Sequence, residues 1–146
     1  MDDGNIDEVR IGSDPDTFAI VSRPVLDPHG CGRIPFRIVG DGLRASSVAE
    51  LVHRSGADLA EYFTAMARSW RGWTGERTWN DDEGQITLKA THDGKGAVHL
   101  NVDLRDMAYQ GPGHWRAGAI VSIELGALDR IATELRALLS NDIRSR

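Results

Sequence analysis

The chain is poor in the residues from which recognisable sites are usually built. It holds one cysteine, Cys31, which excludes an intramolecular disulfide and any multi-cysteine zinc site. No apolar run approaches the roughly 20 residues that a membrane-spanning helix needs. No basic leader runs into an apolar stretch either, so no signal peptide is read and a cytoplasmic location is expected. Neither a phosphate-cradling glycine loop ahead of a helix nor a Gly-x-Ser-x-Gly elbow is present. Basic excess is missing too. The 22 Asp and Glu outnumber 17 Lys and Arg, for a net charge of −5, the wrong sign for following a phosphate backbone. Nucleic acid and membrane are therefore not expected as partners, and no cofactor or metal is expected.

What the chain does have is enough apolar residue for one domain: 146 residues, 40% of them hydrophobic, suit a single packed core. The acidity is local. Asp2, Asp3, Asp7, Glu8, Asp14 and Asp16 face only Arg10 within the first 16 residues, and the remainder is balanced. Residues 1–16 are accordingly expected to be a loosely ordered acidic arm with one short strand near 9–11, removable without loss of the fold. The domain proper is expected over 17–140, with 141–146 frayed.

Period-two alternation predicts the strands. Residues 17–23 (TFAIVSR) are rich in strand formers and stop at Pro24. Residues 27–32 read as a loop, after which Ile34, Phe36 and Ile38 alternate. Asp41-Gly42 is a hairpin turn, from which residues 43–51 pair back. Ile86, Leu88 and Ala90 alternate on one arm of a later hairpin, and Val98, Leu100, Val102 and Leu104 on the other. A Gly94-Lys95-Gly96 connection puts both sets on one face by pairing Ala90 with Leu100 and Asp93 with Ala97, with Gly96 in the left-handed region. After a turn at 111–113, Trp115, Ala117, Ala119, Val121, Ile123 and Leu125 alternate without a break, predicting a central strand. Two helices complete the pattern. Leu59, Tyr62, Phe63, Met66, Ala67 and Trp70 form one apolar stripe, capped by Ser55 or Gly56 and ended by Gly72. Leu128, Ile131, Ala132, Leu135, Leu138 and Leu139 form another. The expected fold is α+β: an antiparallel meander of about six strands with both helices packed on one face.

Candidate chemistry is thin. The expected register turns His92 and His99 to opposite sides of the sheet, so they cannot share a metal. Cys31 lies near His29 on a glycine-flanked turn, without the base and oxyanion site that a nucleophile needs. Asp81, Asp82 and Glu83 form an acidic run that reads first as a solvated turn. Trp70, Trp73 and Trp79 crowd ten residues. Trp70 is expected in the core, whereas Trp73 and Trp79 suit either core or contact surface.

The stretch Trp70-Arg-Gly-Trp73-x-Gly75, then Trp79, Glu83-Gly84, Leu88-x-Ala90-x-His92-Asp93 and Gly96-x-Val98-x-Leu100, resembles a family of small uncharacterised actinobacterial proteins. The resemblance spans residues 17–139 and implies no established activity. The layout is similar, distantly, to immunity proteins of wall-associated polymorphic toxins, and that similarity transfers no residue. The leading expectation is a non-enzymatic binding protein, an immunity-type inhibitor of a toxin encoded nearby, with Trp73, Trp79, Asp81, Asp82 and Glu83 at the contact. The alternatives are an enzyme or small-ligand site around His92, Asp93 and His114 on the open sheet face, and a structural homodimer joined through an exposed strand.

Overall fold

The alternating segments become strands as expected, but they divide between two antiparallel sheets. The computed structural model describes residues 6–26, 28, 32–51, 56–106 and 112–142, with side chains described to Leu139; His29, Cys31 and Ser55 lie outside the described residues, as do 143–146. The order is β1 (Glu8–Ile11), β2 (Phe18–Ser22), β3 (Val25–Leu26), β4 (Gly32–Gly40), β5 (Leu43–Leu51), α1 (Ala57–Arg68), β6 (Arg77–Asn80), β7 (Ile86–His92), β8 (Ala97–Arg105), β9 (Arg116–Glu124) and α2 (Leu128–Asp142), the last entered through a 3-10 turn at Leu125–Ala127.

The single meander is thus corrected to a five-stranded sheet, β1 to β5, and a four-stranded sheet in the order β6-β7-β8-β9. The break falls at α1. The chain leaves β5 through the helix, and β6 then pairs with β7 rather than with anything before it. Both sheets still turn one apolar face inward. Ile34, Phe36 and Ile38 of the first and Leu88, Leu100 and Val102 of the second are buried in one core with Leu59, Phe63, Ile131 and Leu135 of the helices. Phe36 stacks on Trp79 with ring centroids 6.2 Å apart.

The predicted hairpin is observed. Ala90 faces Leu100 and His92 faces Val98, and the Asp93 amide donates to the Ala97 carbonyl at 3.1 Å. Two glycines take positive φ in this turn, Gly94 at 74° and Gly96 at 129°. The strand expected at the centre, β9, is instead the edge of its sheet. Its inner residues Val121 and Ile123 are buried while Ile120 is 64% exposed.

The short strand expected near residues 9–11 is β1, and it is tied into the first sheet. β1 pairs with β2 from Glu8–Ser22 to Ile11–Ala19, and Val9 and Ile11 are core residues. The Ser13 amide then donates to the Ser122 carbonyl of β9 at 2.7 Å. Two acids of the segment are neutralised locally, Asp7 by Arg23 at 2.9 Å and Glu8 by Arg37 at 3.3 Å. Deleting residues 1–16 would therefore strip two apolar side chains from the core, at about 2 kcal/mol each.

Gly56 is the N-cap of α1, and a Cβ there would lie 3.2 Å from Leu139 and 3.3 Å from Ile34. That close approach lets the start of α1 sit against the end of α2. The helix stops at Arg68, four residues before Gly72, with Ser69 as its C-cap. Trp70 therefore falls off the apolar stripe.

A second join between the sheets is built on one carboxylate. Asp81, in the turn after β6, is only 5% exposed. Its Oδ2 accepts from the Glu50 amide of β5 at 2.8 Å. Its Oδ1 accepts from the amides of Gln85 at 2.7 Å and Ile86 at 3.1 Å. The Asp82 amide returns to the Glu50 carbonyl at 3.0 Å, and Ser47 donates to the Arg105 carbonyl. Replacing Asp81 by alanine leaves three buried amides without acceptors, so Asp81→Ala should cost about 3 kcal/mol or more, and Asp81→Asn less. Urea unfolding followed by tryptophan fluorescence checks this; wild-type stability in both variants would contradict it.

Candidate functional site

The three clustered tryptophans have three different environments. Trp79, on β6, is 6% exposed and belongs to the core. Trp73 is half-buried: its indole N–H donates to the Ala90 carbonyl at 3.4 Å, its ring meets His92 edge-on at 5.2 Å, and the Arg77 guanidinium lies 4.6 Å above it. Trp70, expected inside, is 48% exposed. It stands on the turn that leaves α1, with the Arg71 guanidinium 4.8 Å from its ring. Beside it opens a hollow of about 400 Å³ lined by Ala67, Trp70, Leu125, Gly126 and Asp129. Sequence reasoning missed Trp70 as a surface residue because it continued the helix to Gly72. Ser69, a residue suited to a helix end, was the available signal.

The acidic run is split by burial. Asp81 faces inward as the clamp described above, so its carboxylate is spent on backbone amides. Asp82 and Glu83 are exposed at the tip of the β6–β7 turn, where Gly84 has φ 75°. They lie at the far end of β6 from Trp73 and Trp70, roughly 13 Å away by strand rise.

His92 is closed by local structure. Its Nδ1 accepts the Gly94 amide at 2.9 Å, so the ring proton belongs on Nε2, which lies 2.7 Å from the Trp70 carbonyl and donates to it. Both ring nitrogens are thereby used to hold the hairpin turn against the turn that carries Trp70. Asp93 is likewise occupied. Its Oδ1 accepts from the amides of Lys95 at 2.6 Å and Ala97 at 3.1 Å, and His99 approaches its Oδ2 at 3.6 Å. The amides of Lys95 and then Ala97 hold the Asp93 carboxyl below the usual aspartate range, against a smaller opposing effect of burial.

His114 is not brought to this group. It precedes β9, with Nδ1 3.3 Å from Asp106 Oδ1, at the end of the sheet opposite the 93–97 turn. Strand rise over the eight residues between the levels of Val98 and Asp106 gives a separation of about 26 Å. His92, Asp93 and His114 therefore form no common site. Among the described residues no three His, Cys, Asp or Glu side chains gather as metal ligands. No described helix is long and apolar enough to cross a membrane. The Tyr62 hydroxyl, which donates to the Arg77 carbonyl at 2.8 Å, has its pKa pushed up by burial and stays a donor.

The Asp93 contacts set a pH dependence. A carboxyl held lower in the folded state adds stability that is present above about pH 4 and is lost as pH falls through the folded value. A carbon-detected NMR titration should place Asp93 below the ordinary 3.8; a value at or above it would contradict the turn geometry.

No curated protein matches the sequence. A family model does match, over residues 12–142. That span runs from the residue after β1 to the end of α2 and takes in β2 to β9, both helices and the tryptophan-rich segment. The chain therefore belongs to the family of unknown function DUF6228.

Proposed function

We propose that the protein acts by binding another protein, as an immunity-type inhibitor of a bacterial toxin encoded nearby, and carries no catalytic activity of its own. The observation that carries the binding reading is Trp70, 48% exposed beside an open, partly apolar hollow. Tryptophan concentrates binding energy when it becomes buried at an interface, and His92 holds the backbone of this one in place. The functional groups that sequence reasoning offered for chemistry support the same reading, since His92, Asp93 and Asp81 are engaged with backbone partners.

The toxin as partner rests on the layout of the chain and on its acidity. Asp82 and Glu83, with Asp14 and Asp16, are exposed and would steer a basic toxin surface toward the docking face. Trp73 packs against His92, whose ring holds the Trp70 turn, while Trp79 and Asp81 act only by holding the fold.

Co-expression with the toxins encoded beside it tests this. The protein should protect cells and co-purify with its toxin, and Trp70→Ala should weaken the complex by about 2 kcal/mol, roughly 30-fold. Asp82→Asn with Glu83→Gln should slow association at low salt and have little effect at high salt. If no neighbour is toxic and no complex forms, the reading fails.

A homodimer is the second reading, and one observation favours it. Asp106 to Trp115 and Leu125 to Gly96 are bonded pairs, so the alternation of an antiparallel ladder points the N–H and C=O groups of Arg116, Gly118 and Ile120 away from β8. That edge, with Ile120 exposed, suits pairing with a second copy. Sedimentation should then show a dimer that Ile120→Lys disrupts; a monomer at high concentration removes this reading.

A further inference from the structure

We propose that Asp41-Gly42, at the tip of the β4–β5 hairpin, is a site of spontaneous covalent modification, where aspartate converts to β-linked isoaspartate. Three Asp-Gly bonds occur in the chain: Asp3-Gly4, Asp41-Gly42 and Asp93-Gly94. The first lies outside the described residues. The other two are the same dipeptide in exposed turns, so what separates them is how each turn holds its reacting groups.

The reaction needs only the peptide and water. The glycine backbone nitrogen attacks Cγ of the preceding aspartic acid and forms a C–N bond. The carboxyl hydroxyl leaves with the amide proton as water, and the chain now runs through a cyclic imide. Water then adds to one of the two imide carbonyls and breaks its bond to nitrogen. Opening at the backbone carbonyl leaves the chain running through the side-chain carbon as isoaspartate; opening at the other restores aspartate. No atom is gained or lost overall, and nothing is oxidised. Glycine suits the second position because it has no Cβ and leaves the backbone free to turn. Ring closure requires a protonated carboxyl that can swing onto the nitrogen, and a nitrogen that is not held elsewhere.

At 41–42 both groups are free. Neither the Asp41 carboxyl nor the Gly42 amide has a hydrogen-bond partner among the described residues. Nothing stands within 4 Å of the point where a Cβ on Gly42 would lie. Gly40 and Leu43 pair directly below the turn, so the two residues stay at the surface while the strands remain in register. At 93–94 both groups are held. Asp93 Oδ1 accepts from the amides of Lys95 at 2.6 Å and Ala97 at 3.1 Å, which fixes the carboxylate on nitrogens further along the chain. The Gly94 amide donates to His92 Nδ1 at 2.9 Å, which fixes the peptide plane of the attacking nitrogen. The amides of Lys95 and then Ala97 also hold the Asp93 carboxyl below the usual aspartate range, so at neutral pH the reactive protonated form is scarcer there.

The test keeps the intact, folded protein in neutral buffer for several weeks, beside a parallel sample unfolded in urea. Trypsin, cutting after Arg37, Arg44, Lys89 and Lys95, releases residues 38–44 and 90–95 as separate peptides. Chromatography separates the two linkages, electron-transfer fragmentation identifies them, and a time-zero sample subtracts what digestion creates. In the folded protein the β-linked product should accumulate with time in 38–44 and stay several-fold lower in 90–95. In urea, with both turns lost, the two peptides should convert at similar rates. Asp41→Asn keeps a turn-forming pair and enters the same imide with ammonia leaving, so it should deamidate faster and gain the corresponding mass. Equal conversion of both peptides in the folded protein, no conversion of 38–44, a preference that persists in urea, or an Asp41→Asn variant that keeps its mass would overturn the proposal.

Discussion

The joint between the two sheets beside the β6–β7 turn is centred on the buried carboxylate of Asp81. Each sheet satisfies its own strands, but β5 and the β6–β7 turn belong to different sheets and share no ladder. Asp81 joins them by accepting from Glu50 on one side and from Gln85 and Ile86 on the other. A carboxylate oxygen can take more than one donor, which a backbone carbonyl in a ladder seldom has free. With the join made, Trp79 on β6 lies against Phe36 on β4, and the apolar faces of both sheets close over one core. Ser13 and Ser122 make a separate join between β1 and β9. The helices then cover the remaining apolar side, and the exit of α1 is left at the surface with Trp70 on it.

Much of the fold was legible because hydrophobic period reports local structure directly. The registers of β4 with β5 and of β7 with β8 follow from alternation and turn chemistry, down to Ala90 opposite Leu100. The number of sheets was not legible. Strands with one apolar face look the same whether helices or a second sheet cover that face, so period two cannot distinguish them. Strand β6 escaped notice because Arg77–Asn80 is short and only Trp79 of it is buried. The edge position of β9 escaped for a related reason: Val121 and Ile123 alternate as they would in a central strand, and only the chain-distant fact that no strand among the described residues pairs with β9 on its other side decides it.

Less of the candidate site was legible. Composition drew attention to Trp70, Trp73 and Trp79 but put Trp70 in the core and left the other two open, because burial depends on where α1 stops and which strand follows. The acidic run showed the same weakness. Asp81 and Asp82 are neighbours with the same side chain, yet one is a structural acceptor for three amides and the other is exposed. Adjacent residues in a turn point to opposite sides, and only the position of Glu50, thirty-one residues earlier, decides which is captured. The acidity of residues 1–16 is similar. It read as an arm with one short strand, and that strand, β1, brings Glu8 beside Arg37 while Asp7 just ahead of it meets Arg23.

Native-state hydrogen exchange of the Glu50, Gln85 and Ile86 amides tests the role of Asp81 most directly. If this carboxylate joins the sheets, all three amides should exchange only with global unfolding, at the protection of the Leu100 and Val102 amides in β8. Exchange of these three at loop rates, with β8 still fully protected, would show that the sheets hold together without it.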